Sequence, residues 1–112
     1  MTKIHAELGI LPIGTSSPSL GKYIASGLKN LKKIDGIRYQ VTPMGTIIES
    51  ESIDKIFEAS KVITNAIFAM GVARVETILK IDERRDEDRS LEDKLESINE
   101  TTKETTKSKI YS

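Results

Sequence analysis

The chain has 112 residues, of which 38% are apolar and 30% are charged, and its 17 basic side chains balance 17 acidic ones. This is typical of one globular domain with a modest core, and the balanced charge argues against a nucleic-acid-binding protein, which usually needs a basic surplus to neutralise phosphates. The absence of cysteine excludes disulfides, zinc thiolate sites and thiol nucleophiles, and it permits a reducing cytosol.

The N-terminal segment does not resemble a secretion signal. Lys3 and Glu7 place charges where a signal peptide would need an apolar run. No stretch approaches roughly 18 consecutive apolar residues, the length of a membrane span. We therefore expect a cytoplasmic protein with no membrane contact.

The first part of the chain predicts a strand followed by a helix. Apolar and polar residues alternate from 3 to 13, a period of two that indicates a strand, and Pro12 and Gly14 end it. Ser17 is the expected helix cap, with Pro18 at the first helical position, where no backbone donor is needed. Helical spacing then produces one apolar stripe, formed by Leu20, Tyr23, Ile24, Gly27, Leu28 and Leu31.

The next part repeats this order after a hairpin. Residues 37–42 and 46–50 alternate as two strands, and the tight turn at residues 43–45 makes them antiparallel. Ser52 is the expected cap of a second helix, and residues 73–81 alternate again as a fourth strand. The predicted buried stripe of the second helix consists of Ile53, Ile56, Phe57, Ser60, Ile63, Ile67 and Met70.

This β-α-β-β-α-β order predicts an α+β, ferredoxin-like sandwich, in which two helices cover one face of a four-stranded antiparallel sheet. A run of charges of both signs at 82–89 is interpreted as a solvated connection. The following Ser90-Leu-Glu-Asp93 has the pattern of a capping box and predicts a short C-terminal helix with a thin apolar stripe. We expect a single domain over residues 1–100 and a frayed tail over residues 101–112.

The sheet face without helices, the open face, carries charged and apolar side chains together. Opposite charges on neighbouring strands can pair, and the apolar residues between them favour burial. We interpret this face as the interface of a closed, symmetric homo-oligomer; a plain solvated face is the alternative. Its predicted residues are His5, Glu7, Leu11, Ile13, Arg38, Gln40, Thr42, Arg74, Glu76, Ile78 and Lys80.

The sequence contains no recognisable catalytic or metal-binding pattern. His5 is the single histidine, so we expect it to have a structural or interface role. No serine lies in a nucleophile-elbow context, and no glycine-rich phosphate loop is present. The open face also lacks the aromatic side chains with which RNA-binding versions of this fold stack on bases. We therefore expect neither an enzyme nor an RNA-binding protein.

Hydroxyl groups and one acid cluster at the ends of the predicted strands and helices. Small polar groups that converge on an apolar pocket are typical of a small-molecule site; ordinary turn and cap chemistry is the alternative explanation for the hydroxyls. Thr46 and Glu49 are the best candidates for the polar end of a pocket beneath the helices. The candidate ligand-binding residues are Thr15, Ser17, Tyr39, Thr42, Thr46, Glu49 and Phe68.

Three motifs follow one another along most of the chain. They are Pro12-x-Gly-Thr15, then Tyr39-x-x-Thr-Pro-Met-Gly-Thr46, then Gly71-Val-Ala-Arg-Val-x-Thr77 with Lys80-Ile-Asp-x-Arg-Arg85. Together they resemble the small thiamine-binding protein family, which is related to the YkoF thiamine/hydroxymethylpyrimidine-binding proteins. The resemblance implies a ferredoxin-like fold, a cytosolic homo-oligomer of dimers paired into tetramers, and binding of thiamine or its pyrimidine moiety without catalysis.

Thiamine would suit the candidate residues. Its cationic thiazolium would favour Glu49, and its aminopyrimidine offers hydrogen-bonding atoms to hydroxyls and a flat face to Tyr39 or Phe68. The leading hypothesis is therefore a non-catalytic, cytosolic binding protein for thiamine or its hydroxymethylpyrimidine moiety, with no further cofactor. The alternative is a regulatory or structural homo-oligomer without a specific small ligand.

Overall fold

The computed structural model describes residues 2–105, with side chains described as far as Asn99. The strands and helices alternate in the predicted β-α-β-β-α-β order, and one further helix follows. They are β1 (Ile4–Ile13), α1 (Gly21–Leu31), β2 (Ile37–Thr42), β3 (Gly45–Ser50), α2 (Ile53–Phe68), β4 (Arg74–Glu83) and α3 (Leu91–Thr105). None of these helices is both long and apolar enough to cross a membrane.

The four strands form one antiparallel sheet in the order β2-β3-β1-β4. β1 lies between β3 and β4, and it pairs with β4 along its whole length, from Ile4 opposite Glu83 to Ile13 opposite Arg74. The ferredoxin-like fold predicted from the sequence is therefore confirmed.

The core lies between the sheet and the two helices. Because successive strand residues point to opposite faces, one alternating set from β1 and β3 meets the apolar stripes of α1 and α2. Each fully buried Leu or Ile contributes about 1.5–3 kcal/mol to stability. The buried apolar residues are Ile4, Ala6, Leu8, Tyr23, Leu31, Ile48, Ile56, Ala59, Ile63 and Ile67.

Two details of the predicted helices are wrong. α1 begins at Gly21 rather than at Pro18, because the Ser17 hydroxyl accepts from Ser19 N in a local turn instead of capping a helix. In α2, Phe57 is 52% exposed, and Met70, which lies beyond the end of the helix at Phe68, is 40% exposed. The rest of the predicted stripe is confirmed, since Ile56, Ile63 and Ile67 are buried, and Ala59 lies in the core beside them.

The C-terminal part is more regular than expected. β4 continues to Glu83, into the charged run, because β1 supplies backbone partners that far. The capping box is confirmed: Ser90 Oγ accepts from Asp93 N at 3.1 Å, and the Asp93 carboxylate accepts from Ser90 N at 3.0 Å. α3 then runs to Thr105, so residues 101–105 of the predicted frayed tail are helical; residues 106–112 lie outside the described part.

The contact between α1 and α2 depends on Gly27. A Cβ atom on this buried glycine would lie 2.8 Å from Cγ2 of Ile63. That methyl is attached to the Cβ of a buried, β-branched residue, which has little freedom to move aside. The absence of a side chain at position 27 therefore sets how closely the two helices approach.

We predict that Gly27→Ala destabilises the fold by about 1 kcal/mol, because overpacking outweighs the gain in helix propensity. Gly21→Ala is the control for a glycine-to-alanine change in the same helix without overpacking, since nothing lies within 4 Å of its added Cβ. Urea denaturation measures both variants. A Gly27→Ala protein as stable as the Gly21→Ala protein would contradict this account of the helix contact.

Candidate functional site

A cavity of about 220 Å³ lies between the helices and the β2–β3 hairpin. Apolar side chains of β1, α1 and α2 form its walls, and the exposed Met44 of the hairpin turn lies at its edge. Its lining residues are Leu8, Ile10, Leu20, Ile24, Leu28, Val41, Thr42, Pro43, Met44, Gly45, Thr46 and Ile63. The cavity is thus an apolar space closed at one end by the motif that joins the two halves of the fold.

Two hydroxyl groups line this cavity, and they differ in their hydrogen bonding. Thr42 Oγ1 donates to Gly45 O at 2.9 Å and accepts from the backbone N–H groups of Met44 and Gly45, so it is part of the turn. Thr46 is only 6% exposed, and its hydroxyl forms no hydrogen bond with any described residue. Thr46 is therefore the hydroxyl that is available to a ligand.

A second polar cluster lies on the open face of the sheet, around the Glu49 carboxylate. Glu49 is 3% exposed. Its Oε2 accepts from His5 Nε2 and from the backbone N–H of Leu91, both at 3.0 Å, and its Oε1 accepts from Arg38 Nη1 at 3.0 Å. Because a carboxylate can only accept, His5 Nε2 carries the proton in that bond. Three donors from β1, β2 and α3 thus satisfy one buried carboxylate.

The predicted placement of Glu49 beneath the helices is therefore wrong. Thr46 and Glu49 are three residues apart on one strand, and an odd separation puts their side chains on opposite faces. The register agrees, since Thr46 pairs with Leu8 of the core while Glu49 pairs with His5 of the open face. None of the described residues that line the cavity carries a carboxylate.

The structure brings only Thr42 and Thr46 of the other candidate residues to the cavity lining. Thr15 and Ser17 bond to each other in the β1–α1 loop, where Thr15 Oγ1 donates to Ser17 O at 2.7 Å. Tyr39 is half-buried against the core, and Phe68 is exposed at the end of α2. Turn chemistry therefore accounts for the loop hydroxyls, and neither aromatic ring faces the cavity.

The His5–Glu49 pair was not found from the sequence. The predicted topology was sufficient to find it, because a ferredoxin-like fold pairs the first and third strands antiparallel. The register that puts Leu8 opposite Thr46 also puts His5 opposite Glu49. His5 Nδ1 is buried and has no hydrogen-bond partner among the described residues.

Further ion pairs hold α3 and its preceding loop to the sheet. Lys94 Nζ donates to Asp82 at 2.8 Å and lowers the pKa of that carboxyl. The Arg38 guanidinium bonds to Glu92 and lowers its pKa. The backbone N–H of Lys3, with help from its ammonium group, lowers the pKa of Asp88. These contacts thus stabilise the ionised form of one carboxylate on β4, one on the following loop and one on α3.

The profile of the thiamine-binding protein family matches residues 6–99. This chain is a member of that family. The assignment suggested by the three sequence motifs is confirmed, and the match includes both the cavity lining and the Glu49 carboxylate.

Relatives and solved structures agree with this membership. The chain is 47% identical over 86 residues to a UPF0045 protein of Methanothermobacter thermautotrophicus, covering 77% of this chain and 86% of that protein. A hypothetical protein of Methanocaldococcus jannaschii superposes with a TM-score of 0.79 at 36% identity, over 89% of this chain and 99% of that one. A Thermotoga maritima protein, proposed to act in thiamine biosynthesis or salvage, shares the fold with a TM-score of 0.69 at 19% identity, over 86% and 98% of the two chains.

We predict that Glu49→Gln lowers the free energy of unfolding by about 1–3 kcal/mol, because three donors lose their charged acceptor in a buried place. Glu58→Gln is the matched control, since Glu58 is exposed and its one ion pair, with Lys55, is 3.9 Å long. That control should change stability by no more than about 0.5 kcal/mol. Equal losses for the two variants in urea denaturation would show that the Glu49 cluster has no stabilising role.

We also predict that α3 leaves the sheet in acid before the sheet unfolds. The pKa values of Asp82, Asp88 and Glu92 are lowered in the fold. Their stabilisation is therefore complete above the ordinary values of 3.8 for Asp and 4.5 for Glu, and it is lost as the pH falls below them. Hydrogen-exchange protection factors of α3 should fall before those of β1. A simultaneous loss in both elements would contradict a separate acid release of α3.

Proposed function

We propose that this protein binds thiamine or its hydroxymethylpyrimidine moiety, without catalysis, in the cavity beside the β2–β3 hairpin. Membership of the thiamine-binding protein family supports the class of ligand. The observation that carries the location is the Thr46 hydroxyl, which has no partner among the described residues and lines an otherwise apolar cavity. An apolar cleft with few, well-placed polar groups is the usual form of a small-molecule site.

The size and chemistry of the cavity favour the pyrimidine ring as the part that enters. At about 220 Å³, the cavity is smaller than the roughly 300–1,000 Å³ that holds a drug-sized ligand. A single flat ring would contact the apolar walls, and a ring nitrogen would accept from Thr46 Oγ1. Because the lining has no carboxylate, the thiazolium cation would lie outside, beyond Met44.

The proposal of binding without catalysis has its own support. Among the described residues, none that lines the cavity has a side chain that titrates near neutral pH, so these residues offer no general acid or base. The His5–Glu49 pair lies across the sheet from the cavity and cannot reach a ligand there. A cytoplasmic location is part of the proposal, since a chain without cysteine suits a reducing compartment.

A second candidate function is that of a homo-oligomer whose assembly is its role, without a specific ligand. It is favoured by the large apolar side chains that the described part leaves exposed away from the core. Leu11 and Ile78 lie on the open face, and Leu95 and Ile98 of α3 are 52% and 62% exposed. Assembly of the protein into dimers and tetramers is compatible with either function.

We predict that thiamine and hydroxymethylpyrimidine each raise the melting temperature, since a ligand that prefers the folded state stabilises it by mass action. Thr46→Val keeps the side-chain shape but removes the hydroxyl, and should weaken binding by roughly tenfold. Thr77→Val is the matched control, because Thr77 bonds to Thr64 outside the cavity lining and should leave the ligand response unchanged. The measurement is thermal unfolding against ligand concentration.

The same experiment tests the alternatives. If Glu49→Gln, rather than Thr46→Val, abolishes the ligand response, the site lies on the open face and the cavity assignment is wrong. If no response occurs at millimolar ligand, the thiamine-binding proposal fails and the homo-oligomer without a ligand is favoured.

A further inference from the structure

One nitrogen of the His5 ring is buried without a hydrogen-bond partner among the described residues. The side chain of His5 is only 7% exposed, and the atom concerned is Nδ1. Buried polar groups of folded proteins are nearly always hydrogen-bonded, and an exception points to a water, an ion or a ligand that belongs beside it. The surroundings of His5 Nδ1 therefore indicate what its partner is.

The hydrogen bond between His5 and Glu49 determines the direction in which Nδ1 points. His5 Nε2 faces the Glu49 carboxylate on β3 at 3.0 Å. The two nitrogens of an imidazole ring point in widely diverging directions, so Nδ1 is turned away from β3. On that other side of β1 lies β4, with Asp82 directly opposite His5.

A cavity of about 270 Å³, which we call the α3 cavity, lies on this side of His5. Side chains of β1, the end of β4, the loop 84–90 and α3 enclose it. It lies on the open face, and among the described residues it shares no lining residue with the cavity beside the hairpin. Its lining residues are Lys3, His5, Asp82, Arg84, Glu87, Arg89 and Lys94.

Basic side chains outnumber acidic ones in the lining of the α3 cavity. Four of the described lining residues are lysine or arginine, and two, Asp82 and Glu87, are acidic. With His5 left out of the count, basic groups exceed acidic ones by two. A small anion with about two negative charges, as a phosphate group carries near neutral pH, would balance this surplus.

The ion pairs of these basic side chains leave donors for a ligand. Lys3 pairs with Asp88 and Arg84 pairs with Asp86, and neither of these exposed carboxylates belongs to the lining. Exposed ion pairs are weak, because water screens them. An ammonium group has three N–H donors and a guanidinium has five, so each can bond to an anion and keep its present partner.

Inorganic phosphate also suits Nδ1 in either protonation state of the ring. With Nε2 protonated, Nδ1 accepts a hydrogen bond when the ring is neutral and donates one when the ring is an imidazolium. Near neutral pH inorganic phosphate has ionised oxygens that accept and a P–OH group that donates. A ligand carboxylate in its ionised form could only accept.

We propose that the α3 cavity is a phosphate site, in which His5 Nδ1 bonds to one phosphate oxygen and the basic side chains of the lining bond to the others. The bound phosphate joins β1, the loop 84–90 and α3, and so stabilises the docked position of α3. This site goes beyond the proposed binding of thiamine, and it lies on the other face of the sheet. Phosphate binding and thiamine binding can therefore fail separately.

Calorimetric titration of the natural chain with sodium phosphate tests the site. At neutral pH, with the ionic strength held constant by sodium chloride, it should show saturable binding of one phosphate per chain. Methyl phosphate distinguishes the source of the ligand: equal binding of both assigns the site to a phosphate group in general, and binding of inorganic phosphate only assigns it to the free ion. No saturable binding of either at millimolar concentration would overturn the proposal.

The imidazole of His5 reports whether the anion occupies the α3 cavity. His5 is the single histidine of the chain, so its ring nitrogen resonances are unambiguous in an NMR spectrum. Phosphate should shift the Nδ1 resonance with the same half-saturation concentration as in calorimetry. Phosphate binding that leaves this resonance unchanged would place the anion on exposed basic side chains outside the cavity, and the proposed site would be wrong.

Two neighbouring arginines provide a matched pair of variants. Arg84→Gln removes a charged donor from the lining and should weaken phosphate binding roughly tenfold. Arg85→Gln is the control, because Arg85 is exposed, lies outside the lining and pairs only with Glu83 among the described residues. Its phosphate affinity should be unchanged. Equal losses in the two variants would show general attraction of anions to a basic loop and would refute a defined site.

Discussion

Strand β1 supplies the constraint on which the rest of this structure depends. It lies between β3 and β4, and its alternation assigns residues such as Ala6 and Leu8 to the core and His5 to the open face. The antiparallel register passes this division on to both neighbours. A slip of one residue would exchange the two faces along the whole sheet, so the cavity and the polar cluster both depend on this one alignment.

The two faces of the sheet are stabilised in different ways. Beneath the helices, close packing dominates, and the contact of Gly27 with Ile63 limits how the helices can be placed. On the open face, Glu49 collects donors from His5, Arg38 and the first turn of α3. The apolar stripe of α3 remains exposed, so apolar packing contributes little to its position. The hydrogen bond to Glu49 holds the first turn of that helix against the sheet instead.

The proposed ligand site lies at one end of the strand order. The cavity is closed by the β2–β3 hairpin, while β4 forms the far edge. The same hairpin that joins the two halves of the fold thus supplies Thr46 to the proposed ligand site, whereas Glu49, three residues later, lies on the other face of the sheet.

The sequence by itself determined the order of the elements, the ferredoxin-like fold and the family, because hydrophobic period and turn residues are local properties. It also contained the capping box at Ser90. It did not determine that Phe57 is exposed, that Glu49 faces His5 or that Thr46 alone has an available hydroxyl in the cavity. Those outcomes depend on strand register and helix rotation, which are decided only when distant segments pack together, so the tertiary structure was needed to locate the site.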